Sequence, residues 1–178
     1  MIVVDATALS LLFNPDAKPP LDPSTGKPVA RSKARLEYLV REIERQRETI
    51  VIPSPVLAEA LVMIGDGGPA FLDLVARSDR FKVAPFDTRG AVELAAMSRD
   101  AIRAGDKTSG STAPWQKVKF DRQIIAIARV QGAQRIYSDD VNLGKFAANV
   151  GISVVRTWEL PLPPEDPQLE FFQDDEAD

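Results

Sequence analysis

A chain of 178 residues, 44% of them apolar, suits one compact domain with modest insertions and is too apolar to be disordered throughout. It contains no cysteine and no histidine, which excludes disulfides, thiolate zinc sites and the commonest general base. The net charge of −4 argues against indiscriminate nucleic-acid binding, but seven acids lie in the tail (Glu165, Asp166, Glu170, Asp174, Asp175, Glu176 and Asp178), and without them −4 becomes +3, so local basic surface remains.

Residues 1–5 (MIVVD) read as a short buried strand ending in a carboxylate. The run lacks a basic leading region and Asp5 interrupts it, which argues against a signal peptide. No apolar stretch approaches the ~20 residues that span a bilayer, so a soluble cytoplasmic protein is expected. A short helix follows from Thr7 to Phe13. Residues 14–30 hold five prolines and one glycine and read as an exposed loop. Leu36, Leu39, Val40 and Ile43 recur at helical spacing within 31–48. Residues 50–52 make a second strand, and VLAEALVMI from Val56 a helix ended by Gly65. A further helix is expected over 69–77, a strand over 81–86, and a helix over 88–104 with Val92, Leu94, Ala95 and Ile102 inside.

Residues 105–117 read as a polar loop. Phe120 to Gln131 reads as a helix rich in Ile and Ala, stopped by Gly132. Strands over 135–138 and 152–156 flank a helix over 140–150. The chain ends in a proline-rich, then acidic, tail from Pro161, expected to be peripheral or disordered. Short apolar strands alternating with helices imply βαβ crossovers. The expected fold is therefore a three-layer α/β/α domain over residues 1–160, with a central, mostly parallel sheet of about five strands. In such sheets ligands bind beyond the carboxyl ends of the strands.

Acidic residues fall at those ends. Asp5 closes the first strand, Asp121 lies in the first turn of the Ile/Ala-rich helix, and Asp139 and Asp140 follow the fourth strand. Glu59 sits within the apolar VLAEALVMI helix. Singly, Asp121, Asp139 and Asp140 are also explained as helix N-terminal acids, and Glu59 as the solvent-facing member of a half-buried helix. Asp5 is harder to explain that way, since a carboxylate at the end of a buried strand is costly unless it is paired, hydrogen-bonded or on a metal. Together, acids gathered at one sheet edge repel one another unless a cation intervenes. Oxygen ligands without His or Cys suit Mg2+ or Mn2+ rather than zinc.

The order Asp5-Ala6-Thr7, Glu59 in VLAEAL, Asp121 in FDRQIIAIA and Ser138-Asp139-Asp140 resembles the PIN domain, the fold of many toxin ribonucleases of the VapC type. The resemblance covers about residues 1–156, interrupted by the 14–30 insertion and the 105–117 loop. It implies a divalent-metal-dependent endoribonuclease of a toxin–antitoxin pair, with Asp5, Glu59, Asp121 and Asp140 as the acidic quartet that binds Mg2+ or Mn2+. Thr7 and Ser138 match hydroxyl positions that orient carboxylates or water. Asn142 matches a position often held by a further acid, so a second metal site would be weaker. The matching acid of the last motif is Asp140, not Asp139. An antitoxin partner and a homodimer are expected on the same grounds.

RNA must also be held. Lys107, Lys117, Lys119, Arg122 and Arg103 cluster in sequence near Asp121, with Trp115 as a stacking platform. The competing reading is a solvated basic loop with Trp115 packed inward. Two other functions stay open at this point. One is a PIN-like RNA-binding or RNA-processing module with little turnover. The other is a phosphatase-like or receiver-like protein with an Asp nucleophile, disfavoured because DATAL is not the paired DxD of a phosphoaspartate hydrolase.

Overall fold

A computed structural model describes residues 1–164; the acidic run of the tail, 165–178, lies outside the described residues. Five strands form one sheet: β1 (Ile2–Val4), β2 (Ile50–Pro53), β3 (Phe81–Ala84), β4 (Arg135–Tyr137) and β5 (Ser153–Val155). Their order is β3-β2-β1-β4-β5, and every pairing is parallel. Among the described residues, seven α-helices connect or flank them: α1 (Ala6–Phe13), α2 (Ser32–Arg45), α3 (Ser54–Ile64), α4 (Gly68–Arg77), α5 (Thr88–Arg103), α6 (Trp115–Val130) and α7 (Val141–Ala148).

β1 is central because Ile2, Val3 and Val4 are all buried, as a strand covered on both faces requires. It pairs with β2 through Ile2 with Ile50 and Val3 with Val51, and with β4 through Val3 with Ile136 and Val4 with Tyr137. From β1 the chain steps outward through β2 to β3, then crosses β1 to β4 and β5. Right-handed crossovers in those two opposite directions put α1–α4 on one face and α5–α7 on the other. The order therefore reverses between β1 and β4, and the carboxyl ends of these two strands frame the crevice where a ligand fits.

Four details differ from the sequence expectation. α6 begins at Trp115, not Phe120, so the preceding loop ends at Pro114 and Asp121 lies in the second turn. The polar run WQKVK hid this first turn, whose one buried apolar residue is Val118. α5 does not bury its apolar residues as expected: Val92 is 66% and Ile102 59% exposed. It packs on α6 rather than on the sheet, and α6, with Ile124 to Ala128 buried all round, fills the space beneath it.

The stretch Ser54–Arg77, 24 residues, is long and apolar enough by length and composition to cross a membrane, contrary to the expectation of none. It is not one straight rod, since Gly65, at φ 60, ends α3 before α4 starts. The 14–30 segment is a loop with its own small antiparallel bridge, Leu21 to Pro28, and Val29 from it reaches the interior.

Ile125 of α6 is fully buried in the hydrophobic core. Ile125→Ala is expected to lower unfolding free energy by roughly 2–5 kcal/mol, the range for buried aliphatic truncation, measured by urea denaturation.

Candidate active site

Each acid reaches the crevice by a different local rule. Asp5 follows β1 directly, held to β4 by its N–H donating to the Tyr137 carbonyl at 3.0 Å. As the N-cap of α1 it accepts the Ala6 N–H, and its Oδ2 accepts the Ser138 hydroxyl at 2.7 Å. Asp140 follows β4 and caps α7, accepting the N–H groups of Asn142 and Leu143 on Oδ1. That leaves Oδ2 to face the crevice, where it accepts the Lys117 ammonium.

Glu59 comes from α3, where Pro55, Ala58, Glu59 and Val62 share the face that lines the cleft. Val56, Ala60 and Ile64 are buried on the other side of the same helix. On α6 the corresponding face is Lys117, Phe120, Asp121 and Ile124.

These residues enclose one open cleft of about 610 Å3, lined by all four acids and by Thr7. Ser138 stands just behind it, accepting the Asp140 N–H at 3.1 Å while donating to Asp5, so one hydroxyl sets the positions of two acids. Asn142 does not line the cleft; its side-chain carbonyl accepts the Ser111 hydroxyl at 3.0 Å and so fastens the 105–114 loop to α7.

The helix-terminus explanation is half of the truth for Asp140, which both caps α7 and faces the cleft. It fails for Asp121, which sits in the second turn of α6, 3% exposed, with Oδ2 buried and without a hydrogen-bond partner. Asp139 turns away: its two oxygens accept the N–H and hydroxyl of Thr157 at 2.8 and 2.7 Å.

The electrostatics match this crowding. Burial raises the Asp5 carboxyl above its ordinary value, with the Asp140 charge adding to it and the Ser138 and Ala6 hydrogen bonds opposing. Glu59 is raised by burial and then by the charges of Asp5 and Asp140. Burial, reinforced by Asp140 and Asp5, pushes Asp121 up to about 6 even against the opposing Lys117 charge. Only Asp140 is lowered; burial raises it, but the Lys117 ammonium and the α7 N–H groups outweigh that.

Lys117 places its ammonium 2.6 Å from Asp140 Oδ2 and 3.4 Å from Asp121 Oδ1. It is the one member of the basic cluster that lines the cleft. Lys119 lies two residues on, roughly 200° around the helix. Arg103 is exposed at the end of α5.

Arg122 is not available to a phosphate as the sequence suggested. It is 3% exposed, its guanidinium lies 5.7 Å from the Trp115 ring and 5.5 Å from the Phe146 ring, and it donates to the Lys107 carbonyl and the Ser109 hydroxyl. Trp115 is likewise half-buried against the core, with the Lys107 ammonium 5.0 Å from its ring. Together these three residues pin the 105–114 loop.

The sequence reading also missed Arg156, whose Nη1 donates to the carbonyls of Ser138 and Asp140 at 2.7 and 2.9 Å. The signal was an arginine directly after a strand that pairs in parallel with β4, which puts it beside Ser138.

The donor set is all hard oxygen, and the partnerless Asp121 Oδ2 is the kind of atom a divalent cation satisfies. As they stand, no three acidic side chains among the described residues are close enough to grip one ion, and Lys117 lies between two of them. A residue set suited to Mg2+ or Mn2+ is thus present in an open arrangement.

Asp121 gives this site a pH signature in metal-free protein. With its pKa raised from the ordinary 3.8 to about 6, the folded state holds the proton more tightly than the unfolded state does. Stability in EDTA should therefore fall as pH rises from about 4 to about 6. Thermal melts of Asp121→Asn over the same range should lack that component; an equal fall in the variant would refute the assignment.

No protein-family model matches the sequence, and no curated protein matches it. Solved structures do match the fold. One is VapC20 of Mycobacterium tuberculosis, described as a sarcin–ricin-loop-cleaving toxin, with a TM-score of 0.51 at 16% identity over 84% of this chain and 95% of that one. Another is VapBC2 of Rickettsia felis bound to a DNA fragment from their promoter, with a TM-score of 0.50 at 12% identity over 88% and 98% of the two chains. At these identities the likeness speaks for the fold, and it agrees with the resemblance read from the sequence: the chain has the three-layer, VapC-like fold of PIN domains.

Proposed function

We propose that this chain is a divalent-metal-dependent endoribonuclease, acting as the toxin of a toxin–antitoxin pair. One observation carries the reading: acids from β1, α3, α6 and the β4–α7 junction line a single cleft at the switch point of the sheet. The fold likeness to a toxin that cleaves the sarcin–ricin loop supports RNA as the substrate class. The likeness to a VapBC2 assembly supports a protein partner. Exposed apolar residues on α3 and α4 (Val62 at 83%, Leu72 and Leu74 each at 42%) offer surface for that partner or for a second copy of the chain.

Asp5, Asp121 and Asp140 would hold Mg2+ or Mn2+, with Glu59 beside them. Such an ion activates water at neutral pH and offsets negative charge developing on a phosphoryl group. The chain's own contribution is positioning. Ser138 fixes Asp5 and the Asp140 backbone, and Arg156 locks the carbonyls of Ser138 and Asp140. Glu59, at the rim of the cleft with its pKa raised, would accept a proton from water entering the cleft, and Thr7 would offer that water a hydroxyl.

Purified protein should cleave single-stranded RNA with Mg2+ or Mn2+, lose that activity in EDTA, and leave p-nitrophenyl phosphate untouched. Asp5→Asn and Asp140→Asn should each lower cleavage on the order of 10²–10³-fold or more, as loss of a charge-stabilising group does. Asp139→Asn should retain cleavage while losing thermal stability through its Thr157 contacts. RNA binding without cleavage under all these conditions would favour a binding module instead.

A further inference from the structure

Among the described residues, the side chain of Lys117 is the one cationic group in a cleft lined by four acids, and it contacts two of them, Asp140 at 2.6 Å and Asp121 at 3.4 Å. Its position follows from α6. Lys117 and Asp121 are four residues apart, so they share a face, and that face meets the N-terminus of α7 where Asp140 caps the helix. The two acids it bridges are also two of those a divalent ion would need.

On Asp140 the ammonium and a divalent ion compete for one oxygen, Oδ2, since Oδ1 caps α7, and repulsion between the two cations opposes their joint occupation of the Asp121–Asp140 pair. Occupation by the ion and occupation by Lys117 are therefore alternatives. The lysine contact is the weaker one. Its side chain is 44% exposed, and a pair so open to solvent shifts an equilibrium only about fivefold.

Displacement does not take the ammonium far. Its four-carbon stem stays anchored one helical turn before Asp121, at the wall of the cleft. The next anion to enter a ribonuclease cleft is a backbone phosphodiester, and a released ammonium donates well to its non-bridging oxygens.

We propose, resting on the ribonuclease reading above, that Lys117 is an exchangeable counter-ion: it neutralises the Asp121–Asp140 pair until a divalent ion displaces it, and then it contacts the RNA phosphate. A residue first read only as part of a basic loop thus couples the two ligands. The ion frees the lysine for RNA, RNA draws the lysine off the carboxylates, and each ligand tightens the other by the same factor.

The test begins without RNA. Mn2+ binding to the full chain is measured by calorimetry at neutral pH for wild type, Lys117→Met, Lys117→Gln and Lys117→Arg, with thermal melts in EDTA to verify folding. Removing the competing charge in the Met and Gln variants should tighten Mn2+ binding by up to about fivefold, while the Arg variant should stay near wild type. Binding of a single-stranded oligoribonucleotide, with Ca2+ as the ion, should weaken in the Met and Gln variants, and the slope of log affinity against log salt should fall by about one. Mn2+ affinity unchanged by both neutral variants would overturn the exchange, whatever the cleavage assays show. Tighter Mn2+ binding with unaltered RNA affinity and salt slope would overturn the phosphate contact. Absence of Mn2+ binding in every variant would overturn both this inference and the metal-dependent function.

Discussion

The organising constraint in this protein is electrostatic: acids collected at the carboxyl end of a buried parallel sheet repel one another and lose hydration at the same time. Water would screen such a group cheaply, but here Asp121 is 3% and Asp5 8% exposed. Three of the four acids answer with raised pKa values, and the fourth, Asp140, is kept ionised by Lys117 and by the start of α7. Stability alone does not explain a cluster that gains so little by itself. Perturbed carboxyls gathered in a cleft mark a candidate functional site, and under the proposed function that site receives a cation.

The remaining architecture serves that cluster. The reversal of strand order between β1 and β4 brings Asp5 and Asp140 side by side although they are far apart in sequence. Ser138 links them with one hydroxyl, and Arg156 and Asp139 fasten the β4–α7 turn from behind. On the other wall, Arg122 between Trp115 and Phe146 ties down the 105–114 loop, and Ser111 joins that loop to Asn142. These partners keep the acid-bearing elements from moving apart.

Much of this was legible in the residues. An apolar run closed by Asp5, and alternating strands and helices, predict both the parallel sheet and the end of it that matters. Other features were not, and for physical reasons. The first turn of α6 is polar because it borders the cleft, so hydrophobic periodicity could not find it, and Asp121 was assigned to a helix terminus it does not occupy. Arg122 looks like any member of a basic run; only α7, supplying Phe146 from elsewhere in the chain, shows that its charge is buried. Lys117 and Lys119 are alike in sequence, and the turn of the helix alone decides that one faces the acids and the other does not. Val92 and Ile102 fit a helical pattern, but α5 lies in an outer position where much of its apolar side still meets solvent.

Crystals of the protein soaked in MnCl2 would address the shared site directly, since manganese is located by its anomalous scattering. The account predicts a peak in the cleft within coordination distance of Asp121 and Asp140 or Asp5, with the Lys117 ammonium moved off the carboxylates. A cleft without manganese at millimolar concentration, or an ion bound only elsewhere on the surface, would contradict it.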